Sequence, residues 1–130
     1  MTPAAPSTGL LLFAHGARDP RWAQPFEAVA ERVVEARPGT PVRLAFLEFM
    51  APSLAEAGAQ LVALGCTRVE VVPLFLGAGG HVRKDLPVML EALRVAHPGV
   101  HFGLHPAVGE VPSVVDAMAA AALGTLKADA

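Results

Sequence analysis

The chain predicts a doubly wound α/β fold: one domain with a four-stranded parallel sheet flanked by helices. Three observations predict it. Four short apolar, β-branched runs alternate with four longer segments whose apolar residues recur at helical spacing. The third run, VEVVPLFL, is almost continuously apolar, as a strand buried on both faces is. Each helical segment has ten or more residues, the length that right-handed crossovers between parallel strands require.

The first strand is expected over residues 10–13. The helix after it, over 24–37, places Phe26, Val29, Ala30 and Val33 on one face and Glu27, Glu31 and Glu35 on the wet one. Pro25 suits its first turn and Pro38-Gly39 ends it. Trp22 is expected to pack this helix onto the sheet. The second strand covers 42–47, and its helix runs over 52–64, closed by Gly65. The third strand spans 69–75. Its helix is placed over 87–96, opening on Pro87 and stopped by His97-Pro98-Gly99. The fourth strand spans 100–104, followed by a helix over 112–126.

Size and composition bound the function. The 130 residues predict a single domain over 9–127, preceded by a flexible polar leader over 1–8. The lone Cys66 rules out a disulfide framework within the chain, suggests a reducing compartment, and reads as an inert filler. Ten Lys and Arg against twelve Asp and Glu give a net charge of −2, with no basic stripe for nucleic acid. Aromatics are 5% and Tyr is absent, so base-stacking platforms are not expected. No apolar run approaches the ~20 residues of a membrane span, so the expected location is the cytoplasm.

Ligands of open parallel sheets bind beyond the carboxyl ends of the strands. Topology therefore puts His15, Glu48 and His81 on one rim, with His105 a further candidate. Two His and a Glu on a common rim point to metal or acid–base chemistry. The bland readings are a hydrogen-bonding loop histidine and, for Glu48 between Leu47 and Phe49, a salt bridge to Arg18 or Arg43. Gly79 and Gly80 let backbone approach a ligand, and Arg18, Arg21, Arg83 and Lys84 supply charge for acidic groups. His97 and His101 are expected to face solvent.

Three segments carry a resemblance. AHGARDPRW after the first strand, FLEFMAPSL after the second and VVPLFLGAGGHVRKDLP through the third resemble the short CbiX-type class II tetrapyrrole chelatases. These are sirohydrochlorin cobaltochelatases and ferrochelatases, with a flavodoxin-like or chelatase-like sheet. The resemblance implies metal insertion, with His15 and His81 as metal ligands and proton acceptors and Glu48 as the acidic partner. It implies Co²⁺, Fe²⁺ or Ni²⁺ as a substrate rather than a permanent cofactor. It also implies a sirohydrochlorin-like tetrapyrrole whose edge carboxylates pair with Arg18, Arg21, Arg83 and Lys84, and a homodimer that encloses it. Imidazole suits both tasks, since it titrates near neutrality and binds these metals without the grip of a thiolate cage.

Two other functions use similar residues. A non-catalytic tetrapyrrole or metal carrier needs the same site. A histidine phosphotransfer enzyme also places His-Gly after a first strand, but calls for Arg directly before that His, where this chain has Ala14.

Overall fold

The computed structural model describes residues 8–77 and 79–126, and His81 in its backbone alone. Four strands form one sheet: β1 (Thr8–Ala14), β2 (Val42–Phe46), β3 (Arg68–Pro73) and β4 (His101–Leu104). Their spatial order is β2-β1-β3-β4, and every neighbouring pair is parallel. Four helices alternate with them: α1 (Gln24–Ala36), α2 (Leu54–Ala63), α3 (Gly80–Ala96) and α4 (Pro112–Leu123). Short 3-10 turns over Pro20–Ala23 and Val108–Glu110 precede α1 and α4.

Alternation along the strands sorts side chains between two faces. Leu11, Phe13, Val69, Val71 and Phe102 pack against α2 and α3 in the larger core. On the opposite face Ala14 and Phe46 pack with Trp22 and Phe26, so Trp22 does join the first helix to the sheet. Cys66 is 2% exposed in the larger core, and burial pushes its thiol pKa up. That fits an inert filler.

Several expected boundaries move. Thr8 already opens β1; the rest of the expected leader, residues 1–7, and the domain's last residue, 127, lie outside the described residues. α2 starts at Leu54 rather than 52, because Ser53 caps it in a reciprocal box with Glu56. β3 ends at Pro73, α4 at Leu123, and β4 begins at His101. The largest difference is α3, which begins at Gly80 and carries Pro87 inside it. Among the described residues, no helix is long and apolar enough to cross a membrane.

The order of strands fixes where a site belongs. From β1 the chain winds outward to β2, then returns to the other side of β1 for β3 and β4. The switch point is therefore the crevice between β1 and β3, flanked by the segment carrying His15 and the segment leading to His81.

Candidate active site

Two loops are tied together at the switch point. Past the end of β1, the N–H of Leu47 donates to Ala14 (2.9 Å) and that of Glu48 to His15 (3.0 Å). The His15 and Glu48 backbones are thus locked side by side. Gly16 permits this: it sits at φ +88°, and a Cβ there would lie 1.9 Å from the Glu48 carbonyl oxygen. The residue after Glu48, Phe49, adopts φ 67°, a left-handed conformation that costs a β-carbon residue about 1–2 kcal/mol. The Arg18 guanidinium lies over its exposed ring, 4.7 Å from the centroid.

His15 is half-buried and stacks on Phe75, with ring centroids 4.6 Å apart. Phe75 is itself 3% exposed, so it is a fixed platform for the imidazole. Beside His15 lies a cavity of about 260 Å³ whose polar lining is His15, Glu48 and Asp85. Its apolar walls include Phe13, Leu47 and Met89. Asp85 was not singled out by sequence reasoning. The signal was present in the helical register, since Val82, Asp85, Leu86 and Met89 recur at the spacing of one helix face and all line this cavity.

The bland reading of Glu48 as a salt-bridge partner of Arg18 or Arg43 does not hold. Its side chain is exposed, and among the described residues it makes no ion pair with Arg18 or Arg43. Arg43 instead donates to Gln60 and to the Val42 carbonyl.

The backbone places His81 in the first turn of α3, one residue before Val82 and four before Asp85. Gly79 caps this helix with no side-chain hydrogen bond. A Cβ on Gly79 or Gly80 would meet nothing within 4 Å. Val82 and Leu86 also border a second hollow of about 270 Å³, on the other flank of α3, lined by Phe75, Arg83, His105 and Glu110. The first turns of α3 thus form a ridge between two hollows.

The expected cations divide. Arg83 faces the second hollow, where it pairs with Glu110 at 3.3 Å. Lys84 is exposed on the same turn. Arg21 is bound back to Asp19 of its own loop at 2.7 Å, which also raises its pKa and lowers that of Asp19. His105 hydrogen-bonds Glu70, away from His15. That contact holds the Glu70 carboxyl below its ordinary pKa, against the opposing effect of burial and with further help from Arg68. His101 is exposed as expected, whereas His97 is half-buried near the Phe102 ring (6.1 Å). Among the described residues, no three His, Cys, Asp or Glu side chains converge to hold a metal.

The CbiX family model matches residues 9–123, almost the whole described chain. This chain belongs to the CbiX family. The sirohydrochlorin cobaltochelatase of Saccharolobus islandicus (strain L.S.2.15 / Lassen #1) is 38% identical to it over 82 residues, 63% of this chain and 62% of that protein. The sirohydrochlorin cobaltochelatase of Methanosarcina acetivorans is 33% identical over 83 residues, 64% of each chain. Both matches thus span a little under two thirds of the relative. A CbiX protein from Marinobacter aquaeolei VT8 superposes with a TM-score of 0.81 at 36% identity, covering 91% of this chain and 96% of that one. The sirohydrochlorin chelatase SirB from Bacillus subtilis subspecies spizizenii, solved with cobalt, shares the fold (TM-score 0.77, 24% identity). There the match covers 88% of this CbiX chain but 49% of SirB, so the CbiX fold fills half of the longer chain.

Proposed function

We propose that this chain is a sirohydrochlorin metal chelatase. It inserts one divalent cation (Co²⁺, Fe²⁺ or Ni²⁺) into sirohydrochlorin or a related tetrapyrrole, and two pyrrole N–H protons leave in exchange. The observation that carries the reading is His15 on its Phe75 platform at the switch point, beside Glu48 and Asp85, with the α3 turn that bears His81 facing it across the crevice. The activity named for the archaeal relatives supports the same conclusion.

In this mechanism the macrocycle lies across the ridge of α3, over both hollows. His15 and His81 hold the incoming cation over the ring and then receive pyrrole protons. Glu48 and Asp85 attract the cation and pass the protons to solvent. Neutral imidazoles release the metal once the ring nitrogens take it. Lys84, Arg18 and the first-turn N–H groups of α3 engage the edge carboxylates of the pigment. Both hollows are open to solvent on their outer side, so we assign the second wall to another copy of the chain. The reaction is assigned to the cytoplasm.

Anaerobic insertion of each metal into sirohydrochlorin, followed by its absorbance under multiple turnover, tests the reading. His15→Ala is expected to lower the rate by about 100-fold or more, the scale of a lost general base. Full turnover by a folded His15→Ala, His81→Ala double variant overturns the assignment. Stoichiometric binding without turnover by the wild type identifies a carrier instead.

A further inference from the structure

Arg18 is a cation with an aromatic partner and no acidic one. Among the described residues no carboxylate pairs with it, and its neighbour Asp19 is already bound to Arg21 at 2.7 Å. The guanidinium lies instead over the Phe49 ring, 4.7 Å from the centroid. Arg18 is exposed there, and Phe49 beneath it is still 57% exposed. A ring face is no substitute for a carboxylate, so the forked N–H donors remain available for one.

The backbone under that ring is strained. Among the described residues, Phe49 is the one residue other than glycine with a positive φ, at 67°. Glycine or asparagine would take this conformation at less cost than a bulky aromatic. The loop gives Phe49 no way to relax. Phe46 N–H donates to the Pro52 carbonyl across its base (2.9 Å), and Leu47 and Glu48 are tied to Ala14 and His15. Strain of this kind persists only where the surroundings over-determine it, and it collects at binding sites.

The place of the pair fits such a site. Phe49 follows Glu48, which lines the cavity beside His15, and Arg18 comes three residues after His15. Ring and guanidinium belong to two different loops. They meet because the segments after β1 and β2 are bonded side by side at the switch point.

We propose that Phe49 is a positioning residue of the substrate site: its ring, presented by a left-handed backbone, holds the Arg18 guanidinium at the rim to meet a peripheral carboxylate of the tetrapyrrole. The identity of that acid rests on the chelatase reading. An arginine on a free stem loses rotamer freedom when it pairs, whereas one already held over a ring has lost part of it beforehand. The gain is on the scale of one exposed cation–π contact, about 2- to 5-fold in the dissociation constant.

Two measurements test the proposal. Without any pigment, the Arg18 side-chain protons are expected upfield of their free positions in NMR spectra, shifted by the ring current of Phe49, and Phe49→Leu should return them. In absorbance titrations with metal-free sirohydrochlorin, Phe49→Leu should raise the dissociation constant about 2- to 5-fold. In turnover the same variant should raise KM and leave kcat unchanged. Phe49→Trp should restore binding, because indole is the better cation–π partner. Phe49→Gly relieves the backbone, so its melting temperature should hold or rise while binding weakens as in Phe49→Leu; a merely structural ring would lower both. In an Arg18→Ala background Phe49→Leu should change nothing further. Unshifted Arg18 resonances, normal pigment binding by Phe49→Leu, or an equal loss in the Arg18→Ala background overturns the proposal. A wild type that inserts metal while Phe49→Leu binds normally fails this inference alone, whereas a wild type that binds no pigment fails the chelatase reading and this inference with it.

Discussion

Glycines near the mouth act in two opposite ways. Gly16 is forced by its backbone: φ is +88° and its missing Cβ leaves room for the Glu48 carbonyl. Gly16→Ala should cost at least about 2 kcal/mol in thermal unfolding and should separate His15 from Glu48, with insertion lost alongside. Gly80 faces open space, so Gly80→Ala should be tolerated or stabilise α3 by up to about 1 kcal/mol. Under the proposed mechanism the new methyl occupies the macrocycle's place, so KM for the tetrapyrrole should rise as the melting temperature holds or climbs. A Gly80→Ala enzyme with unchanged KM argues against a pigment lying on this ridge. Glu70 makes a different kind of prediction. Its carboxyl pKa is depressed by His105 first and by Arg68 to a lesser extent. A depressed carboxyl contributes stability above its unfolded pKa and loses it as pH falls through the folded value. Glu70→Gln should therefore cost up to about 1 kcal/mol at neutral pH, the scale of a partly exposed pair, and nothing once the wild-type carboxyl is protonated. Urea unfolding of both proteins along a pH series reads the difference.

At the level of elements, the strands were the most legible, because an apolar β-branched run has few other uses. The helices were legible where caps and periodicity agreed, as in α1. They were misplaced where a proline pointed two ways. Pro87 looks like a helix start, since its absent N–H is harmless in a first turn. In the structure it sits inside α3, where the helix bond to the Arg83 carbonyl is missing. Seven residues of helix before it, those that form the mouth, were hidden by glycines that read as loop. For the same reason the site was only half legible. Strand topology was enough to bring His15 and Glu48 together. Asp85, and the way α3 turns Arg83 toward Glu110, depend on a helical register that starts seven residues earlier than the sequence suggests. At α2, Pro52 reads as a helix start and hides the Ser53–Glu56 capping box behind it. Ser53→Ala removes the hydroxyl that accepts from Glu56 N–H at 3.1 Å and should lower stability by about 1 kcal/mol. Glu56→Ala should cost a similar amount. The double variant should cost less than the sum, because the two bonds close one motif.

Across the whole molecule the charge is close to balanced, at −2, so under the proposed function attraction for an acidic pigment would not come from a general positive field. It has to come from cations local to the mouth, and these are not equivalent. Lys84 stands exposed on the first turns of α3, and Arg18 is held over Phe49 at the rim. Arg21 is already matched by Asp19 at 2.7 Å, so its charge has a partner before any substrate arrives. Local, solvent-facing attraction is screened by salt, the Debye length falling from about 10 Å at 0.1 M to about 3 Å at 1 M. Over that range KM for the tetrapyrrole should rise roughly 3- to 10-fold with little change in kcat, since charge recruits the pigment rather than helping the metal drop into it. Lys84→Ala should raise KM at low salt and flatten the salt dependence, whereas Arg21→Ala should do neither. Steady-state kinetics of the three proteins at both ionic strengths decides the matter. Equal effects at Lys84 and Arg21, or a KM indifferent to salt, would mean that the acidic edge of the pigment is held somewhere other than this rim.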